Sequence, residues 1–178
     1  MASADRDRQD ALYTEISAGN AAALRRLARA YEADPDKRGD LLQEMHIELW
    51  LSLRSFDGRC SLRTWMYRVA HNVGASHVMK SRRLAARLLD LETLDSGATA
   101  FDGETCVNRQ VSTNALLDLV YRLKPLDRQI VLLYLEGETA AGIAEVTGLS
   151  ANNVATKIHR IKRMLKQSYR EGVRNVGQ

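Results

Sequence analysis

The chain has 178 residues, enough for one compact domain or for two small domains with a linker. Only two prolines and 11 glycines interrupt it, aromatic content is 6%, and the apolar residues are mostly aliphatic at helical spacing, so we predict an all-α fold. The amino terminus MASADRDRQD excludes a secretory signal, and the longest strong apolar run, IVLLYL at 130–135, excludes a membrane span. We therefore expect a cytoplasmic protein without membrane insertion.

The net charge of +4 is spread unevenly along the chain. Residues 54–87 contain eight basic side chains against the single acid Asp57, and residues 150–178 contain seven against Glu171. Between these blocks, residues 88–110 carry five acids and no compensating basic cluster. Two basic blocks around an acidic connector indicate two contacts with a polyanion, although basic runs can also be solvated helix faces.

The cysteines and histidines do not predict a metal site. Cys60 and Cys106 stand alone without a CxxC motif, and the four histidines form no HxxxH pair. We expect no metal and no cofactor.

The first predicted helix covers about 10–32, with a bend or interruption at Gly19 and Asn20. A second helix is predicted at about 41–53. Its apolar stripe consists of Leu42, Met45, Leu49 and Leu53. The following SFDGRC segment has the composition of a turn.

The third helix is predicted to start after Ser61 as its N-cap and to run through Arg82. Its predicted core positions are Leu62, Met66, Val69 and Val73. The opposite side carries Thr64, Tyr67, Arg68, His71 and Asn72. Basic, aromatic and amide groups together are typical of surfaces that bind single-stranded DNA. Trp65 lies between the two faces, so it fits either a stacking role or a half-buried core position.

Residues 84–110 lose helical periodicity and collect Gly, Ser, Thr and acids, which predicts a domain linker. Helical pattern returns at 115–123, and again after Pro125 until about Glu136, where Gly137 is the stop signal.

The segment 138–165 predicts a helix-turn-helix. Thr139 can cap a short helix, Thr147 to Leu149 form a turn that contains Gly148, and Ser150 can cap a longer second helix. The polar face of this second helix carries Asn152, Asn153, Thr156, Arg160 and Arg163, with Lys157 at its flank. Amide, hydroxyl and guanidinium groups can read base edges and bind phosphates in a major groove, so duplex DNA is the expected ligand. The alternative is a helical hairpin with a solvated basic face.

The order of elements resembles the sigma-70 superfamily, in particular its small extracytoplasmic-function group. Residues 40–83 are similar to region 2, with DLLQE, the FDGRCS loop and the TWMYRVAHN core, and residues 123–165 are similar to region 4. The resemblance implies two small helical domains, a region 2 bundle at 8–87 and a region 4 helix-turn-helix at 112–174, joined by an acidic linker at 88–111. It also implies binding to core RNA polymerase and to promoter DNA, with melting of that DNA, and commonly an anti-sigma factor as inhibitor.

The resemblance assigns roles to individual positions. It implies that the residues facing polymerase are Asp40, Gln43 and Glu44. The residues expected at the opened −10 strand are Phe56, Asp57, Arg59, Ser61, Arg68, His71 and Asn72. Those expected at the duplex −35 element are Ser150, Asn152, Asn153, Thr156, Lys157, Arg160 and Arg163.

Two other classes of function compete with this one. A polymerase-independent helix-turn-helix regulator would explain residues 138–165 but would leave the aromatic and basic third helix without a role. An enzyme acting on nucleic acid would need a metal or acid/base cluster, and the sequence has none, so we expect no catalytic residues.

Overall fold

The computed structural model describes the backbone of residues 2–92 and 119–175, and the side chains within 5–84 and 119–167. The secondary structure in these ranges is helical without strands, which confirms the predicted all-α fold. The predicted linker at 88–111 begins within the last helical residues before 93 and otherwise lies outside the described ranges. The helix predicted at 115–123 is described only from 119, and residues 119–122 are helical.

The first unit contains three helices and one 3-10 turn: α1 (Ala2–Tyr31), α2 (Pro35–Ser52), the turn Leu53–Ser55, and α3 (Leu62–Glu92). The first helix is longer than predicted and runs through Gly19 and Asn20 without a break. The Asn20 side-chain amide donates to the backbone carbonyl of Ile16 at 2.9 Å, so it bonds within the helix instead of ending it.

Two caps set where α2 and α3 begin. The α2 helix starts earlier than predicted, because Pro35 occupies its first turn and the Asp34 carboxylate accepts from the backbone N–H of Asp36 at 3.0 Å. At α3 the Ser61 hydroxyl accepts from the backbone N–H of Thr64 at 3.0 Å, as predicted. The α3 helix continues beyond Arg82 to Glu92.

The second unit contains α4 (Pro125–Leu135), α5 (Ala140–Thr147) and α6 (Ala151–Asn175). The Thr139 hydroxyl accepts from the N–H of Gly142 at 3.1 Å, and the Ser150 hydroxyl accepts from the N–H of Asn153 at 3.3 Å. Between them Gly148 adopts a φ of 74°, the left-handed conformation that ends α5 and turns the chain into α6. The predicted helix-turn-helix is therefore present with both of its caps.

Each unit buries an aliphatic core. In the first unit the fully buried side chains include Leu24, Leu27, Leu41, Met45, Leu49, Met66 and Tyr67. In the second they include Ile130, Leu133, Ile143, Val154 and Ile161. Residues of both units belong to one continuous cluster, and α5 packs against α3.

A buried arginine connects the two units. The Arg128 guanidinium of α4 lies 5.5 Å from the ring centre of Tyr31 in α1 and 5.6 Å from that of Tyr121. It donates to the backbone carbonyls of Val120 (3.1 Å) and Tyr121. The Tyr121 hydroxyl donates to the backbone carbonyl of Arg29 in α1. The arginine therefore binds the last carbonyls of the preceding helical segment and the aromatic end of α1 together.

Candidate nucleic-acid and protein interfaces

One face of α2 is open along its length. Asp40 and Gln43 are exposed, and the Glu44 carboxylate is half-exposed and pairs with Lys80 of α3 at 3.2 Å. The same face carries two exposed apolar side chains, Ile47 (55% exposed) and Leu51 (42%). Sequence reasoning missed this apolar part. The signal was available, because both residues fall off the buried stripe that contains Leu41, Met45 and Leu49.

The loop between the 3-10 turn and α3 is ordered by its own side chains. The Asp57 carboxylate accepts from the N–H of Arg59 at 3.1 Å and pairs with the Arg59 guanidinium at 2.9 Å. Gly58 has a φ of 77°, which suits glycine. The Phe56 ring stands edge-on to Trp65 at 5.4 Å. Of the predicted loop contacts, Asp57 and Arg59 are exposed, Phe56 is half-buried, and Ser61 is used as the helix cap.

Trp65 is part of the packing beneath this loop. Its indole N–H donates to the Ser52 hydroxyl at 2.9 Å, and its ring is half-buried against the core. Of the two interpretations that the sequence left open, the core position fits this environment, since both the ring and its polar atom already have partners.

The expected open face of α3 is largely covered. Tyr67 is fully buried, Thr64 is 9% exposed and His71 is 2% exposed, so the prediction that the His71 side chain lies on an open face of α3 is wrong. The reason is that α1 brings the Tyr31 hydroxyl to 2.9 Å from the His71 Nδ1. Burial lowers the pKa of His71 to about 3, so the ring is neutral at physiological pH. Asn72 remains exposed, as predicted.

Arginines of the first unit contact acidic and carbonyl oxygens of the second. Arg68, a predicted DNA contact, donates through Nε to the backbone carbonyl of Glu145 in α5 at 3.0 Å. Arg63 pairs with the Glu138 carboxylate at 2.7 Å, and Arg26 of α1 forms a bidentate pair with Glu136. The segment from the end of α4 to α5 thus lies on basic groups of α1 and α3, and it covers Arg68, one of the predicted contacts of the −10 strand.

The polar face of α6 divides into two parts. Val154 and Ile161 are fully buried, while Asn152, Asn153, Thr156 and Arg163 are exposed. Lys157 and Arg160 instead pair with the two carboxylate oxygens of Asp127 in α4, at 2.8 and 2.7 Å. The Asp127 side chain is only 8% exposed, so this ion pair holds α6 on α4. The sequence did not indicate this partner, because Asp127 is 30 residues away from Lys157.

No helix in the described part of the chain is long and apolar enough to cross a membrane. Among the described side chains, no group of three or more His, Cys, Asp or Glu residues could hold a metal ion.

Family comparisons match both helical units. The family described as Sigma-70 region 2 matches residues 18–84, and the family described as Sigma-70, region 4 matches residues 113–165. The ECF RNA polymerase sigma-E factor of Haemophilus influenzae is 28% identical over 135 residues, 71% of this chain and 71% of the relative. The ECF RNA polymerase sigma factor SigW of Bacillus subtilis is 26% identical over 157 residues, 83% of this chain and 80% of the relative.

A solved structure shares the fold across most of the chain. It is the sigma factor RpoE of Bartonella quintana, in complex with the anti-sigma factor NepR. The match has a TM-score of 0.63 at 17% identity and covers 87% of this chain and 94% of the other.

Proposed function

The chain belongs to the sigma-70 superfamily as an extracytoplasmic-function sigma factor, which binds RNA polymerase and directs promoter recognition, and we propose that three separate surfaces divide this work. The α2 face binds core polymerase, the Phe56–Ser61 loop with α3 captures the opened −10 strand, and α6 binds the −35 duplex. The observation that carries this assignment is that one chain has two polar, basic helices, α3 in the unit that matches region 2 and α6 in the unit that matches region 4.

The polymerase surface is proposed to combine acids with apolar groups. Asp40, Gln43 and Glu44 supply charge and hydrogen bonds, and Ile47 and Leu51 supply apolar area next to them. Exposed aliphatic side chains within a polar rim are typical of protein interfaces. Acids at the edge of such a surface suit a basic partner and speed association.

The −10 surface is proposed to consist of the exposed loop residues together with Arg68 and Asn72. Because Arg68 already donates to Glu145, α5 must leave α3 before this arginine can meet a DNA strand. His71 is left out of the direct contacts, since it lies beneath this face with Tyr31. Its proposed role is to hold the α3 side chains in place from within the core.

The −35 surface is proposed to use all the predicted α6 residues, in two ways. Asn152, Asn153, Thr156 and Arg163 are open to a major groove, and amides there can read base edges. Lys157 and Arg160 share their charge with Asp127, and Ser150 caps the helix whose start points toward the groove.

We further propose that the protein acts in initiation without catalysing a reaction itself. We also propose that it acts in the cytoplasm, where it meets polymerase. An anti-sigma factor is the proposed inhibitor, by analogy with the structural relative that was crystallised with one. A polymerase-independent regulator is not favoured, because the region 2 match covers the unit that such a regulator would not need.

The decisive experiment is run-off transcription with purified core polymerase on genomic fragments, with a docking variant in parallel. Asp40→Arg with Glu44→Arg should abolish both co-purification with core and specific transcripts, since charge reversal opposes a basic docking surface. The circular dichroism melt should change little, because Asp40 is exposed and the Glu44–Lys80 pair is an exposed one.

Glu15→Arg is the control, because it reverses an exposed acid on α1, outside the α2 face. It should leave binding to core intact. Undiminished association of the Asp40/Glu44 variant with core would remove the docking assignment. Absence of any specific transcript with the wild-type protein would contradict the proposed function itself.

A further inference from the structure

An open cleft of about 650 Å³ lies between the start of α1 and the end of α2. Three arginines line it, Arg6 and Arg8 from α1 and Arg54 from the 3-10 turn, against one carboxylate, Asp5. Trp50 and Leu53 supply its apolar wall. We call this feature the arginine cleft.

The arginine cleft is held in shape by two hydrogen bonds between α1 and Trp50. Gln9 is 5% exposed, and its side-chain amide donates to the backbone carbonyl of Trp50 at 2.6 Å. The indole N–H of Trp50 donates to the Asp10 carboxylate at 2.8 Å. These α1 residues precede residue 18, where the region 2 match begins, so this part of the cleft lies outside the shared family pattern.

The arginine cleft adjoins the loop assigned to the −10 strand. Arg8 donates to the backbone carbonyl of Phe56, the first residue of that loop, at 3.5 Å. Arg6 and Arg54 are exposed and form no ion pair with any described side chain. Their guanidinium groups are thus available to an anion that extends from the loop.

We infer that the arginine cleft binds a nucleotide of the opened promoter strand, next to the nucleotides captured by the Phe56–Ser61 loop. This inference rests on the proposed −10 function and extends the strand's path onto α1. Guanidinium groups bind phosphodiester oxygens through paired, charge-assisted hydrogen bonds. The half-buried Trp50 ring gives an unstacked base an aromatic surface, and aromatic side chains of this kind hold single strands without sequence preference. In a closed duplex the bases are paired and stacked, so no unstacked base is available to this surface.

The test measures strand binding by the complex of this protein with core polymerase. Three fluorescent single strands are compared: the −10 element of a promoter mapped by run-off transcription, and the same element extended by three nucleotides on the upstream or the downstream side. The wild-type complex should bind one extended strand more tightly than the short one. Arg6→Ala with Arg54→Ala should remove this gain, on the order of tenfold. The slope of log affinity against log salt should become shallower by about 0.7 for each phosphate that the variant no longer binds.

Arg25→Ala with Arg29→Ala is the matched control, since it removes two exposed α1 arginines away from the cleft. This variant should keep the gain from the extension. The inference is overturned if the Arg6/Arg54 variant keeps that gain, if it loses affinity equally for short and extended strands, or if it loses as much affinity for closed duplex. In each of these cases a wild-type complex that still transcribes leaves the proposed function standing. A wild-type protein that forms no complex with core overturns both.

Discussion

At the scale of single residues, Tyr31 is one reason why the face of α3 that was expected to be exposed is buried. Its hydroxyl bonds His71, its ring lies under the Arg128 guanidinium, and both contacts need the ring to lie against α3. Gly74 makes room for it: a Cβ at this position would stand 2.5 Å from the Tyr31 ring. A glycine in the middle of a long helix, otherwise unfavourable, is here required by a close approach.

Replacing Gly74 by Ala should therefore destabilise the protein. The added methyl group must displace the Tyr31 ring from both of its partners, and overpacking of this kind costs about 1–3 kcal/mol of unfolding free energy. Urea unfolding followed by circular dichroism measures the change.

Gly19→Ala is the matched control for this substitution. Gly19 is also inside a helix, but nothing lies within 4 Å of its Cβ position, so Ala should stabilise α1 by up to about 1 kcal/mol. Shifts of the same sign and size in the two variants would contradict the close-approach account of Gly74.

At the scale of the helix, the basic residues of α6 are expected to contribute unequally to DNA binding, because some of them already form ion pairs. A helical projection places Lys157, Arg160 and Arg163 together on the polar side. The structure ties the first two to Asp127 and leaves the Arg163 guanidinium without an ion pair among the described side chains. A cation that already pairs with a nearly buried carboxylate gains less binding free energy from a DNA phosphate than an unpaired cation does.

Arg163→Ala should accordingly weaken −35 duplex binding with a clear reduction in salt dependence, about 0.9 in the slope of log affinity against log salt. Lys157→Ala should change this slope less and should instead lower the stability of the second unit, because Asp127 keeps only Arg160 as its partner. Anisotropy titrations at several salt concentrations and thermal melts measure the two effects. An equally large slope change in both variants would mean that Asp127 releases Lys157 when DNA binds.

Local sequence signals predict that a helix or turn is present better than they predict where a helix begins and ends. Ser61, Thr139 and Ser150 are correctly predicted as caps, and Gly148 as the turn residue, because each acts through backbone groups within a few residues. The helix is not interrupted at Gly19 and Asn20, one of the two predicted outcomes there, because weak helix formers are tolerated where tertiary packing holds the helix. The predicted start of α2 is late, since proline is favourable in the first helical turn and Pro35 belongs to the helix.

At the scale of the whole molecule, the packing of one unit on the other could not be predicted from periodicity. Helical spacing shows which side chains share a face, and it separated the α3 core positions Met66 and Val73 from Arg68 and Asn72 correctly. It does not show what covers that face. The covering groups belong to α1 and α5, and the Glu145 carbonyl of α5 is 77 residues away from Arg68 in sequence.

The ion pairs between the units are individually weak, in contrast to the buried core that the units share and the contact of Arg128 with Tyr31. Arg26 is 60% exposed in its pair with Glu136, and Arg63 is 48% exposed in its pair with Glu138. Exposed ion pairs of this kind contribute about 0–1 kcal/mol each and are screened by salt. Breaking these pairs alone therefore costs little, whereas separating the units also exposes the buried core that they share. The acids Glu136 and Glu138 hold the arginines of the first unit until the units separate.

Replacing Glu136 and Glu138 together by Gln should shift the protein toward the separated arrangement, because Gln keeps the side-chain shape and removes the charge that Arg26 and Arg63 bind. Small-angle X-ray scattering should show a larger radius of gyration at low salt, and added salt should move the wild-type protein in the same direction. Glu145→Gln is the control, because Arg68 bonds the backbone carbonyl of Glu145 and not its carboxylate. If the double variant scatters like the wild type and like this control, the two carboxylates do not hold the units together, and the shared buried core with the contact of Arg128 and Tyr31 holds them instead.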